Sequence, residues 1–262
     1  MLLEKFQASL ATVRRTKSRL LAVRELATLA KLDVGREIRK GIPEVILAEG
    51  KRSADVARLA QAMLVRTGRA IISRADSRCE RLLRSRFHGK EHVSFSSRSG
   101  MVVVKSKDFR VKRTGGRVGI LTAGTSDIPF AMEAETIVKE MGCQTLTYYD
   151  VGVAGLHRLF QPLEDLLKWG ADVLIVAAGR EGALPTVVAG IADVPVIGLP
   201  TSRSYGFGEK GLAALAAMLQ SCSLGMSVVN IDSGVGAGAV AAMIANRVGY
   251  ARLEGVKGRG RL

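Results

Sequence analysis

Beyond residue 117 the sequence falls into a regular alternation of short apolar runs and helical segments, and this constrains the fold more than any other feature. The runs lie at 118–122, 145–149, 173–177, 194–199 and 227–231. Runs of five or six residues, rich in Val, Ile and Leu, suit strands covered on both faces. Strands that alternate with helices predict a parallel sheet with helices on both sides, joined by right-handed crossovers. The expectation is an α/β fold over 117–262, with ligands bound at the carboxyl ends of the strands, where loops enter helices.

The first 116 residues read as a smaller α+β region. Phe6, Leu10, Val13, Leu20, Leu21 and Leu26 recur at helical spacing and predict a helix over 4–32. A turn and a short strand follow at 33–48, then a helix over 53–67 with Ser53 as its N-cap. Strands are expected at 70–73 and 101–105 around a basic helix near 78–86. The polar stretch ending in Thr114-Gly115-Gly116 marks the boundary. Charge divides at the same place: residues 1–117 carry 28 Lys and Arg against 11 Asp and Glu, whereas 118–262 carry 11 against 13. Such asymmetry raises a nucleic-acid partner. The basic residues are dispersed, without interleaved aromatics or zinc spacing, which favours a solvated basic face or attraction of an anionic nucleotide.

Residues 212–248 are rich in Ala, Val, Met and Gly, but Asn230, Asp232 and the glycines at 234, 236 and 238 interrupt them where a membrane-spanning helix tolerates this least. The stretch reads as buried core. No secretory pattern opens the chain. Cys79, Cys143 and Cys222 are too scattered for a disulfide framework or a metal site, so a cytoplasmic protein away from membranes is expected.

Each candidate motif falls at such a carboxyl end, in a segment between the runs. Gly124-Thr125-Ser126-Asp127, with Pro129 behind it, allows a tight turn capped by Ser126 or Asp127; its free N–H groups would hold a phosphate, or it is simply a helix cap. His157 and Arg158 open the next helix, and an Arg there can contact phosphate or merely begin a surface helix. After the third run, Gly179-Arg180-Glu181-Gly182 brings small residues that let a ring or phosphate approach the backbone. Cys222, in Ser221-Cys222-Ser223-Leu224-Gly225, is a buried filler or a nucleophile. Asn230, Asp232 and the glycines to 238 read as a polar, glycine-rich turn. No Walker sequence or GxSxG elbow is present, and no GxGxxG follows the first run.

In this order and at these spacings the segments resemble the PurE carboxylases of purine synthesis over about 117–250. GTSD looks like their GSxSD phosphate loop, GLHR like their SAHR segment, and AAGREGALP like their alanine- and glycine-rich loop. A closer likeness, over nearly the whole chain, is to the LarB family, the carboxylase/hydrolase of nickel-pincer nucleotide cofactor synthesis. GTSDIP, YDVGVAGLHRL, EGALP, PTSxxYG, SCSLG and VNIDSGxGAG carry it, together with Arg36, Arg39, Gly41, Pro43, Glu44 and Val45. Two departures stand out: Leu224 replaces the usual Pro, and Arg180 replaces a frequent Met.

The resemblance implies a PurE-like, flavodoxin- or Rossmann-like sheet and a specific reaction. Nicotinic acid adenine dinucleotide would be carboxylated at pyridinium C5 by CO2 as co-substrate, and its phosphoanhydride cleaved, giving pyridinium-3,5-biscarboxylic acid mononucleotide and AMP. An electron-poor pyridinium cannot attack CO2. Thiolate addition at C4 makes C5 the nucleophilic end of an enamine, and a soft, readily expelled thiolate suits that task, which points to Cys222. By the same resemblance Gly124, Thr125, Ser126 and Asp127 hold phosphate or ribose. Arg158 contacts the diphosphate with His157 beside it, Glu181 and Gly182 lie near the ring or CO2, and Asn230 and Asp232 complete the site. Asp127 and Glu181 are both candidates to take the C5 proton. Arg36 and Arg39 would attract the anionic dinucleotide. No tightly bound cofactor is implied; Mg2+ is expected from the reaction type alone. A homo-oligomer is implied, octameric as in PurE relatives, with sites at subunit contacts. Two alternatives stay open: an aminoimidazole ribonucleotide carboxylase or mutase, which needs no thiol, and a non-catalytic nucleotide- or nucleic-acid-binding protein.

Overall fold

In the first unit of the chain, Met1–Arg110, strands and helices alternate less regularly. The computed structural model describes residues 24–26, 30–89 and 92–259. Strands β1 (Arg24–Leu26) and β2 (Ala30–Leu32) pair antiparallel. Most of the helix expected over 4–32 lies outside the described residues; its end is this strand pair instead. Leu32 is buried beside exposed Lys31, a period-two pattern that a few leucines at helical spacing do not exclude. The turn expected at 33–44 holds a short helix, α1 (Arg36–Lys40), ended by left-handed Gly41.

Next come β3 (Val45–Leu47), α2 (Ser53–Thr67), β4 (Arg69–Ser73), α3 (Ser77–Arg86), β5 (His92–Ser96) and β6 (Met101–Lys105). The sheet order is β3-β4-β6-β5, with β3 and β4 parallel and the other pairs antiparallel. Strand β5 had no expectation from sequence, because its half-exposed Ser and His positions mask the alternation. The N-cap position of α2 belongs to Arg52, not Ser53, and makes no side-chain bond. Asp76 does cap α3, accepting from Cys79 N at 2.6 Å. Leu59, Leu64, Ile72, Leu83, Phe87 and Val102 fill the core. Arg36 and Arg39 do not stand free for a ligand: Arg36 pairs with Glu44 at 2.8 Å and Arg39 with Asp33.

The second unit, Val111–Leu262, contains β7 (Arg117–Thr122), α4 (Ile128–Glu140), β8 (Gln144–Tyr148), α5 (His157–Trp169), β9 (Val173–Ala178), α6 (Ala183–Ala189), β10 (Val196–Pro200), α7 (Leu212–Leu219), β11 (Met226–Val228) and α8 (Gly234–Arg259). Residues 111–116, grouped by sequence with the first region, pack here: Thr114 is buried and its Oγ1 donates to Gly142 O at 3.1 Å. The sheet is all parallel in the order β11-β10-β9-β7-β8. Helices α5, α6 and α7 cover one face with Leu159, Leu163, Leu166, Leu184 and Met218. Helices α4 and α8 pack against each other and the opposite face.

The glycines read as a turn at 234–238 lie inside α8. A Cβ at Gly234 would meet Phe130 O at 2.5 Å, and one at Gly238 would meet Ala134 O at 2.5 Å. They let α8 lie tight on α4. The apolar stretch 212–248 accordingly divides into α7, β11 and the start of α8. Among the described residues no helix is long and apolar enough to cross a membrane.

Candidate active site

At the carboxyl ends of β7, β8, β9 and β10 lies a cavity of about 380 Å³, lined by Gly124, Ser126, Asp127, Gly152, Arg158, Gly179, Arg180, Glu181 and Arg203 among others. Asp127 joins two of the loops that form it. The side chain does not cap α4 as expected. It turns back, so that Oδ2 accepts from Gly124 N at 2.8 Å and Oδ1 accepts from Thr201 Oγ1 at 2.6 Å. One carboxylate thus ties the loop after β7 to the end of β10. It is 3% exposed, and burial pushes its pKa above the usual carboxylate value. The Thr201 hydroxyl and the Gly124 and Gly179 amides oppose that rise, and nearby Asp232 adds to it.

Gly124 needs its missing side chain for no internal reason. It is absent from the left-handed residues, and a Cβ there would touch only Asp127 Oδ2 at 3.6 Å and Ser126 Oγ at 3.8 Å. What its absence keeps open is the cavity wall. Gly152 is different: a Cβ there would strike Ala123 O at 2.6 Å, so the loops after β7 and β8 can meet only through a glycine.

Arg158, on the first turn of α5, is held by Asp150 Oδ2 at 2.9 Å and lines the cavity. His157 begins the same helix but is exposed and outside the lining. Glu181 lines the cavity and is exposed. Gly182 does not line it: buried and left-handed, it backs onto α7, where a Cβ would meet Ala214 O at 2.7 Å. Thr125, in the same loop after β7, does not line the cavity. Asn230 and Asp232 share the carboxyl end of the sheet but not the cavity. Asp232 braces it, accepting from Ser202 N at 2.7 Å, while Asn230 Oδ1 accepts from Ile231 N at 2.9 Å.

Thr201, within PTSxxYG, and the bracing Asp150, within YDVGVAGLHRL, were given no role of their own from sequence, and Arg203 was not singled out. The signal was available, since Thr201 and Arg203 directly follow the fourth apolar run, at the strand end where ligands bind. Arg158, Arg180 and Arg203 line the cavity together with Asp127 and Glu181, a balance of charge suited to a phosphorylated ligand.

Cys222 is placed elsewhere. The loop that carries it runs into the amino end of β11, so the expectation that every motif falls at a carboxyl end fails here. Ser223 Oγ donates to Thr186 O at 2.9 Å, and Val196 N donates to Gly225 O at 3.0 Å, both at that end. The five residues of β10 alone separate the two ends by about 13 Å, at roughly 3.3 Å per residue. Within one chain the thiol and the cavity do not meet. Cys222 is exposed, whereas Cys79 and Cys143 are buried. Burial raises both buried thiols, Cys143 to about 11. Leu224 is 91% exposed, so its replacement of the usual Pro crowds nothing within the chain.

A family model for AIR carboxylase matches residues 117–255. The chain belongs to the AIR carboxylase family. A second model, the LarB/PurE-like N-terminal domain, matches residues 23–106, so the first unit also has relatives. An uncharacterized protein of Methanocaldococcus jannaschii is 41% identical over 84% of this chain and 86% of its own length. The N5-carboxyaminoimidazole ribonucleotide mutase of Thermotoga maritima is 32% identical over 49% of this chain and 74% of its own. A solved Treponema denticola PurE2 variant, 20% identical, covers 55% of this chain and 92% of its own with a TM-score of 0.41. The cavity therefore lies in the family's carboxylase unit, the part shared with ribonucleotide mutases.

Proposed function

We propose that the chain is a LarB-type carboxylase/hydrolase: it carboxylates C5 of the pyridinium ring of nicotinic acid adenine dinucleotide with CO2 and cleaves the phosphoanhydride. The observation that carries this reading is the exposed Cys222 beside two buried, inert thiols, in a chain whose first unit matches the LarB/PurE-like N-terminal domain. In this reading the Cys222 thiolate adds at C4 and converts the pyridinium to a neutral dihydropyridine. The C5 enamine carbon bonds to CO2, a base removes the C5 proton, and expulsion of the thiolate restores the aromatic ring. Water then divides the diphosphate into AMP and the dicarboxylated mononucleotide.

Glu181 suits the base better than Asp127. It faces the cavity from the surface, whereas both Asp127 oxygens already accept hydrogen bonds that fix the loops. Arg158, with the amides beside Gly124, would hold the phosphate next to the pyridinium ribose. Among the described residues no three His, Cys, Asp or Glu side chains converge as a metal site. Magnesium, which here would neutralise diphosphate charge, would be held mainly by the substrate, with one or two carboxylates at most.

Because Cys222 and the cavity sit at opposite ends of the sheet, the reading requires a homo-oligomer in which one copy brings its thiol to another's cavity, with the octamer of PurE relatives as the expected assembly. The test is mass spectrometry after incubation with nicotinic acid adenine dinucleotide, ¹³C-bicarbonate and magnesium. Labelled dicarboxylate mononucleotide plus AMP should form with native protein and not with Cys222→Ala. Mixing Cys222→Ala with Arg158→Ala, then allowing subunits to exchange, should restore about a quarter of the activity if each site draws on two copies. Absence of product from folded native protein would refute the reading. It would also turn attention to aminoimidazole ribonucleotide, which the similarity to the mutase favours and for which Cys222→Ala should stay active.

A further inference from the structure

The cavity is small for a dinucleotide. At about 380 Å³ it stands near the lower end of the usual ligand-pocket range of about 300–1,000 Å³. One nucleotide, its phosphate on the loop after β7, accounts for that space, so the rest of a dinucleotide must lie over the rim. Two side chains occupy that rim from neighbouring strands. Arg180 follows β9 and lines the cavity, and its guanidinium carbon lies 4.0 Å from the centroid of the Tyr205 ring, which follows β10. Tyr205 is 77% exposed: the guanidinium covers one face of the ring and the other is open.

The platform is built on constrained backbone. Arg180 is left-handed (φ +52°), two residues before the Gly182 turn that α7 holds from behind. The Tyr205 loop turns at left-handed Gly206, Lys210 and Gly211, and a Cβ at Gly211 would meet Thr201 O at 2.7 Å. Ser204 Oγ closes the loop by donating to Gly208 O at 3.0 Å.

We infer that Arg180 and Tyr205 form a second subsite that takes the purine half of the dinucleotide, an inference that rests on the proposed function and assigns the two ends of its substrate. The assignment of the two halves follows from space and exposure. The mononucleotide half, whose phosphate the loop after β7 would hold, fills the cavity, and the purine left over the rim is a flat neutral ring that stacks on an open aromatic face and accepts a neighbouring guanidinium plane. The Arg180 charge also lies close to where the second phosphate leaves the cavity. Arg180 is on this account a specificity-determining residue of this chain.

The test is equilibrium binding, in bicarbonate-free buffer, of nicotinic acid adenine dinucleotide, nicotinic acid mononucleotide and AMP to native protein and to Arg180→Met, Tyr205→Ala and Tyr205→Phe. The dinucleotide and AMP should weaken about tenfold in Arg180→Met and Tyr205→Ala, in keeping with one lost base stack. Tyr205→Phe should retain affinity, and the mononucleotide should change by less than about twofold. Native protein that binds the dinucleotide while the variants bind it equally well would overturn the subsite alone, as would an equal loss for dinucleotide and mononucleotide. Native protein that binds neither would overturn the proposed function and the subsite with it.

Discussion

Thr201→Val deletes one hydroxyl from a fully buried side chain and leaves its shape in place. That hydroxyl donates to Asp127 Oδ1 at 2.6 Å, and a bond to a charged group contributes about 1.5–3 kcal/mol. The loss should depend on pH with a definite sign. Burial holds Asp127 above its ordinary 3.8, and the Thr201 hydroxyl is the largest contribution against that rise. A carboxyl with a raised folded-state pKa contributes stability that is complete below its unfolded pKa and is lost as pH rises through the folded one. Removing Thr201 raises the folded pKa further, so the variant loses more over that window. Urea denaturation from about pH 4 to about pH 8 should show a gap near 1 kcal/mol or less where Asp127 is protonated, widening to about 1.5–3 kcal/mol where it is ionised and constant above that. A neutral-pH gap below about 0.5 kcal/mol, or a gap that widens on acidification, would refute the view of Asp127 as an ionised hub held by Thr201.

Four further outcomes are expected. An aromatic disulfide reagent should titrate one thiol rapidly in the native protein and all three after denaturation, because Cys79 and Cys143 are buried and only Cys222 is exposed; rapid reaction of a second thiol would contradict the packing. Arg158→Met should raise the Kd for nicotinic acid mononucleotide about 10- to 100-fold while barely changing stability, since its pairing with Asp150 is solvent-exposed; calorimetric titration measures the first and urea denaturation the second. Gly238→Ala should cost about 1–3 kcal/mol, because its Cβ would press on Ala134 O at 2.5 Å. Gly124→Ala, whose Cβ meets nothing closer than 3.6 Å, should keep stability within about 0.5 kcal/mol yet weaken nucleotide binding, and paired denaturation and binding curves would separate the two.

The second unit was legible because β7, β9 and β10, buried on both faces, leave continuous apolar runs, and each of the five runs overlaps a strand of one parallel sheet. The α/β class followed from that regularity, whereas Asp127, Arg158 and Glu181, which line one cavity, were singled out by the family resemblance together with the strand-end rule. What escaped was decided by tertiary contact. Asp127 reads as a helix cap because Asp commonly caps helices; only the fold reveals that Thr201, 74 residues away, supplies a stronger partner. Gly234 and Gly238 read as a turn because glycine marks turns, yet they answer to the backbone of α4. In the first unit, short strands with half-exposed Ser and His carry too few apolar residues to distinguish a period of two from one of 3.6.

The polarity of a parallel sheet bears directly on chemistry. Every strand delivers its following loop to one end, and that end collects the amides, hydroxyls and guanidinium groups that can receive a phosphorylated ligand. A residue that precedes a strand is sent to the opposite end, and Cys222 precedes β11. An exposed cysteine at the far end is irrelevant to the cavity in a lone chain. In a closed symmetric assembly the far end of one copy can lie on the near end of another. The covalent reading thus turns a placement that looks adverse into a requirement: if the thiol adds to the ring, association is part of the catalytic apparatus, and a variant that dissociates the assembly should lose carboxylation while each separated chain still binds the mononucleotide through Arg158 and the loop at Gly124.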